Sequence, residues 1–271
     1  MVNEMSYMKL QEGYPTPQHQ SAAEAITRFF ADNFTVDAVL LVNSCARGRA
    51  TRDSCLDMNV LVNPKSVELQ HPALEAGWNV FETIDAKIQA LKRIGAYSEV
   101  HLDIVDGVFA PQERDEAAGP DDFEVGVGNF LAYSVPLWQG SDYWMRLKDQ
   151  WLPYYDEDLR IQRLNMVRNY CLNNLHHIPL YVERGLYFQS LDRLYNAYRE
   201  FLQALFITHR TYPIAYNKWI REQVEQILGL PHLYQRLVHL FEIKQFESWE
   251  IARKGEEVES LLEEYAPAAS V

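Results

Sequence analysis

Apolar residues recur along this chain at two different periods, and the change from one to the other divides it. Ser21 to Phe30 places Ala22, Ile26, Phe29 and Phe30 on one face of a helix. Val36 to Val42 is a run of β-branched residues and leucine that predicts a buried strand, and Leu56 to Val62 predicts a second. Pro72 to Gly95 fits one long helix, opened near Pro72 and stopped at Gly95. From Ser98 to Val105 strict alternation puts Val100, Leu102 and Ile104 on one strand face. Phe123 to Tyr133 predicts a fourth strand. Before it, Phe109 to Asp122 carries Glu113, Asp115, Glu116, Asp121, Asp122 and two prolines, and reads as an exposed acidic loop.

From about Ser141 the pattern becomes helical. Asp156 is placed to cap a helix running through Leu175, while Gly185, Pro213 and Gly229-Leu230-Pro231 punctuate the later helices. Leu191, Leu194, Tyr195, Tyr198, Leu202 and Leu205 form a stripe at helical spacing, which predicts the core of a bundle. The expected fold class is therefore α+β: an α/β domain with flanking helices over residues 1–140, then an all-α helical bundle over 141–271, joined near Gly140.

Composition narrows the class of partner. The 271 residues are 48% hydrophobic and 23% charged, the balance of a chain that buries a core. Lys and Arg number 25 against 38 Asp and Glu, a net charge of −13, and residues 1–140 alone carry −10 of it. Phosphate-backbone binders show a basic stripe, so long nucleic acid is not the expected partner. The longest apolar stretch near the N-terminus, Ala38 to Val42, is far short of the ~20 residues a bilayer span needs. Met1 to Gln18 lacks the basic and apolar regions of a secretory signal. Three scattered cysteines without a C-x-x-C pair argue against a disulfide framework or structural zinc. The expectation is a soluble, cytoplasmic protein with no membrane partner.

The stretch from Asn43 to Val60 concentrates the chemistry. Ser44, neighbouring backbone amides and the flexible Gly48 can form a turn that receives phosphate oxygens. In the next predicted strand, Cys55, Asp57 and Asn59 alternate onto one face and point at that turn. A phosphate-receiving turn opposite a strand carboxylate is what magnesium-dependent nucleotide chemistry requires, because Mg2+ is held by one or two carboxylates together with substrate phosphates.

In these residues the chain resembles the polymerase-beta-like nucleotidyltransferase superfamily, in particular its small-molecule branch containing the aminoglycoside nucleotidyltransferases. The likeness rests on Ser44, Ala46, Arg47, Gly48, Ala50, Ser54 and Asp57. The chain departs at Asn43, where that family usually has glycine, and at Cys55, where it usually has the first aspartate. The resemblance implies a mixed β-sheet nucleotidyltransferase domain and a helical acceptor-binding domain. It implies nucleotide-binding roles for Asn43, Ser44, Arg47 and Ser54. It also implies a third carboxylate on a later strand, for which Asp103 is the positional match. Asp57 and Asp103 would then be metal ligands, with Cys55 in the place of the missing acid among the catalytic residues. A thiol is a poor magnesium ligand, so the formal negative charge of the site falls from three to two.

His101 shares the predicted face of Asp103 and could orient it or contact substrate. Asp106 falls on the opposite face beside Gly107, where a turn role fits better. His176-His177 has no Cys or acid at metal spacing. The expected function is Mg2+-dependent transfer of a nucleoside monophosphate from a nucleoside triphosphate to a hydroxyl of a small-molecule acceptor, cationic if the acidic surface selects it. The acceptor would lie between the two domains. The alternative is a nucleotide-binding or scaffold protein without turnover.

Overall fold

The computed structural model describes residues 13–112 and 114–269; Glu113, one of the residues of the expected acidic loop, lies outside them. The chain runs through α1 (Pro17–Ala31), β1 (Val36–Leu41), α2 (Asn43–Ala46), β2 (Leu56–Val62), α3 (Pro64–Ile84), α4 (Ala86–Leu91) and β3 (Val100–Val105). It continues through α5 (Phe123–Val127), a π-helical turn (Gly128–Ala132), β4 (Val135–Gln139) and α6 (Tyr143–Trp151). After these come α7 (Glu157–Glu183), α8 (Tyr187–Thr208), a second π-helical turn (Glu222–Ile227), α9 (Pro231–Leu240) and α10 (Glu250–Tyr265). The class is α+β, as expected. Two compact units divide the molecule: residues 1–110 with 127–152, and residues 111–126 with 153–271.

The first unit is built on a four-stranded mixed sheet in the order β3-β2-β1-β4. β1 runs antiparallel to both its neighbours, and β2 runs parallel to β3. One sheet face is set directly by alternation. Leu56, Met58, Val60 and Val62 of β2 and Val100, Leu102 and Ile104 of β3 pack with Ile26 and Phe30 of α1, Trp78 of α3 and Ile88 and Leu91 of α4. The intervening residues Asp57, Asn59, His101 and Asp103 fall on the opposite face. A polar cluster therefore stands on a stiff, close-packed floor.

Two expected elements take other forms. The long helix over 72–95 is instead two helices with a break at Asp85, whose carboxylate accepts from the backbone N–H groups of Lys87 and Ile88 at 2.9 and 3.0 Å. The first of them starts earlier, at Pro64 behind an Asn63 cap, and carries Pro72 in its interior. The fourth strand is not 123–133 but Val135–Gln139. Phe123, Glu124, Val127, Phe130 and Leu131 are buried at helical rather than alternating spacing, and Asp121 caps the start by accepting from the Phe123 N–H at 3.0 Å. The Val-Gly-Val-Gly run fits either period because glycine has no side chain to place. β4 is an edge strand, which is why it tolerates Pro136.

In the second unit, Asp156 caps α7 through the Leu159 N–H at 2.9 Å, as its position predicts, and the helix runs on past Leu175 to Glu183. The stripe Leu164, Val167, Cys171, Leu175, Ile178 and Val182 packs with Leu194, Ala197, Phe201 and Leu205 of α8 and with Ile251, Val258 and Leu262 of α10. Among the α8 stripe residues predicted as core, Leu194, Tyr198, Leu202 and Leu205 are buried. The acidic loop is not wholly exposed. Asp115, Glu116 and Asp122 face solvent, but Asp121 turns inward to Arg163, because two nearby cations repay the loss of its hydration. No helix among the described residues is long and apolar enough to cross a membrane.

Candidate functional site

β1 delivers the chain to a tight turn at the N-terminal end of β2. Leu41 pairs with Met58, and the Val42 N–H donates to the Asp57 carbonyl at 3.1 Å. The next residue, Asn43, has φ +56°. That left-handed conformation is free to glycine and tolerated by asparagine. Ser44 comes next at the half-buried start of α2, and its carbonyl accepts from the Arg49 N–H at 2.9 Å. Gly48 completes the turn with φ +66°. Arg47 is buried; Arg49 and Arg52 are exposed.

Ser54 stands at the far end of the connection. Its hydroxyl accepts from the Thr51 N–H at 2.9 Å, and its carbonyl accepts from His19 Nε2 at 2.9 Å. With Nε2 donating, His19 Nδ1 accepts from the Thr16 hydroxyl at 2.8 Å. The fully buried His19 thus ties α1 to the entrance of β2. Sequence reasoning missed it. Thr16-Pro17 is a legible helix start, but the partner across 35 residues leaves no local signal.

Two side chains converge on Asp57. Cys55 Sγ lies 3.4 and 3.5 Å from the two Asp57 carboxylate oxygens, and His101 Nδ1 donates to Asp57 Oδ1 at 3.1 Å. The ligating atoms of Cys55, Asp57 and His101 all lie within 4.8 Å of one another. Alternation supplies the first pair, and the parallel register that sets Asp57 opposite His101 supplies the third. The Asp57 side chain is 12% exposed and that of His101 is 61% exposed, so the cluster sits at the surface with one member in solvent. Asp103 is not in it. Asp103 pairs with Asn59 in the register, one same-face step of about 6.6 Å along the strands and away from the Asn43 turn. Asp106 takes the turn role, its carboxylate accepting from the Val108 N–H at 2.9 Å.

Cys45 lies in the turn and Cys55 beside Asp57, and neither is in a disulfide. Burial, with the negative charges of Asp57 and Cys55 adding to it, pushes the Cys45 thiol up to about 12, so it stays protonated and unreactive at neutral pH.

The donor set bears on the metal. Magnesium takes hard oxygen ligands in near-octahedral array. Here one carboxylate is flanked by a thiol and an imidazole, with the second carboxylate one step away. This trio does not fit a magnesium ion held by the protein. Among known proteins, no family model and no curated sequence matches this chain.

Proposed function

We propose that the protein is a nucleotidyltransferase: it moves a nucleoside monophosphate from a nucleoside triphosphate to a hydroxyl of a small-molecule acceptor and releases pyrophosphate. The donor substrate is the magnesium complex of the triphosphate, so the ion arrives with its phosphates. In this reading the turn at Asn43 and Ser44 receives phosphate oxygens through backbone N–H groups, Arg47 and Ser54 shape it, and Asp57 faces the reacting group. His101 fixes the Asp57 carboxylate by donating to it, and Asp103 adds a second negative charge on the same face. An acidic surface favours a cationic acceptor of the aminocyclitol kind.

The observation that carries this reading is the Val42–Asp57 backbone bond, which sets the left-handed turn at Asn43 beside the strand residue that bears the carboxylate. The substitution of a thiol for an acid at Cys55 favours a second reading, nucleotide binding without turnover. Pyrophosphate release from each of the four ribonucleoside triphosphates, across a panel of polyhydroxylated amine acceptors, separates the two. Transfer that Asp57→Ala abolishes and Cys55→Asp raises supports the first. Stabilisation by nucleotide with no pyrophosphate from either protein supports the second.

A further inference from the structure

The mismatch with magnesium has a positive counterpart. We infer that Cys55, Asp57 and His101 form a binding site for a zinc-class transition-metal ion, with three protein ligands and one open position. Thiolate, imidazole and carboxylate are the donors that zinc takes, and three of them with a vacant fourth place is the pattern of reactive rather than purely structural zinc sites.

The geometry is close to what such an ion demands. With Zn–S of ~2.3 Å and Zn–N and Zn–O of ~2.0 Å, the edges of a coordination tetrahedron are about 3.3 to 3.5 Å. The separations from Asp57 are 3.1 Å to His101 Nδ1 and 3.4 to 3.5 Å to Cys55 Sγ. Two of the three edges thus already match a coordination tetrahedron, and the third, from Cys55 Sγ to His101, lies within 4.8 Å and closes by rotation of the exposed His101 ring. The ligands also come preorganised. Asp57 lies in β2, His101 opposite it in β3, and Cys55 immediately before β2, all over a close-packed sheet floor. His101 reaches solvent, which gives the ion a way in. Binding replaces the Cys55 S–H bond with a metal–sulfur bond and releases that proton to solvent, while the neutral His101 ring carries its proton on Nε2 instead of Nδ1 so that Nδ1 can bind the ion. The open position takes water or an oxygen of a bound substrate.

The inference goes beyond the nucleotide reading and is tested without nucleotide. The full chain, reduced and freed of metal by a chelator, is titrated with Co2+ as a spectroscopic probe of the zinc site. The expected result is saturation at a single equivalent with thiolate-to-cobalt charge-transfer absorption and the intense visible bands of tetrahedral Co2+. Zn2+ should bleach both, and excess Mg2+ should leave them unchanged. Cys55→Ser should remove the charge-transfer band. His101→Gln, at an exposed position that leaves the fold intact, should weaken binding by at least about 100-fold, since even indirect partners of metal ligands cost 10–100-fold. Absence of the charge-transfer band in the parent protein, or its survival in Cys55→Ser, overturns the proposal and leaves the trio as a hydrogen-bonded cluster. Neither outcome depends on whether the protein binds a triphosphate.

Discussion

Asp121 and Glu124 in the helical unit and Asp57 on the sheet are all carboxylates held against other polar side chains, yet their surroundings differ in kind. Arg163, 2% exposed, sits between Asp121 and Glu124 and donates to both, with N···O distances of 2.7 to 2.9 Å. Gln203 bridges the same two carboxylates, Tyr155 donates to Glu124, and the Arg163 guanidinium stacks on Phe123. Burial alone pushes the Asp121 carboxyl up, but its hydrogen bonds to Arg163 and the charge of that residue outweigh it and hold the group below its ordinary value. All four carboxylate oxygens of Asp121 and Glu124 accept hydrogen bonds from within the protein. Asp57, by contrast, has an imidazole that is largely in solvent and a thiol that donates only weakly. The carboxylate oxygens of the first cluster are filled without a ligand. The second has capacity left for one.

The contrast predicts very different costs for removing a member. Arg163→Leu leaves two carboxylates buried without their cation and should lower the unfolding free energy by about 3–5 kcal/mol, read from chemical denaturation. Glu200 offers a test within the same unit. Burial raises its carboxyl to about 7, against the opposing effect of the hydrogen bond from Asn174 and the charge of Arg114. A group whose proton is held more tightly in the folded state stabilises fully below its unfolded value and loses that contribution as pH rises through the folded one. The wild type should therefore lose stability relative to Glu200→Gln between about pH 4.5 and pH 7, by roughly 1–3 kcal/mol, measured as the difference between their pH profiles.

Smaller effects belong to the sheet. Asn43→Ala should cost about 1 kcal/mol, because alanine adopts positive φ at a steric penalty, while Asn43→Gly should change stability very little. Asp57→Asn should cost less than about 1 kcal/mol, since the histidine that donates to it is mostly solvated. A loss of several kcal/mol on Asp57→Asn would erase the distinction and make this cluster structural as well.

Local patterns were legible where a single element determined them. The strands at 36–42 and 56–62, the face shared by Val100, Leu102 and Ile104, and the Asp156 cap all come from nearest-neighbour spacing. Placing Cys55 beside Asp57 needed only alternation. The hidden features depend on register and long-range partners. Nothing in the sequence tells that β2 and β3 align Asp57 with His101 rather than with Asp103, two residues on. Asp121 reads as one more loop acid until Arg163, 42 residues away, is seen to meet it. The Val-Gly-Val-Gly run misled because glycine erases the side-chain period that tells helix from strand.

The central claim is that Asp57 and the turn at Asn43 and Ser44 together form a nucleotide site, and ligand-linked stability measures it most directly. Thermal unfolding of the wild type and of Asp57→Asn should be monitored with and without saturating magnesium–nucleoside triphosphate. A ligand that binds the folded state alone raises its melting temperature by mass action. The account predicts a clear rise for the wild type with at least one triphosphate and none for Asp57→Asn. An equal rise in both proteins, or no rise in the wild type with any of the four, would contradict it.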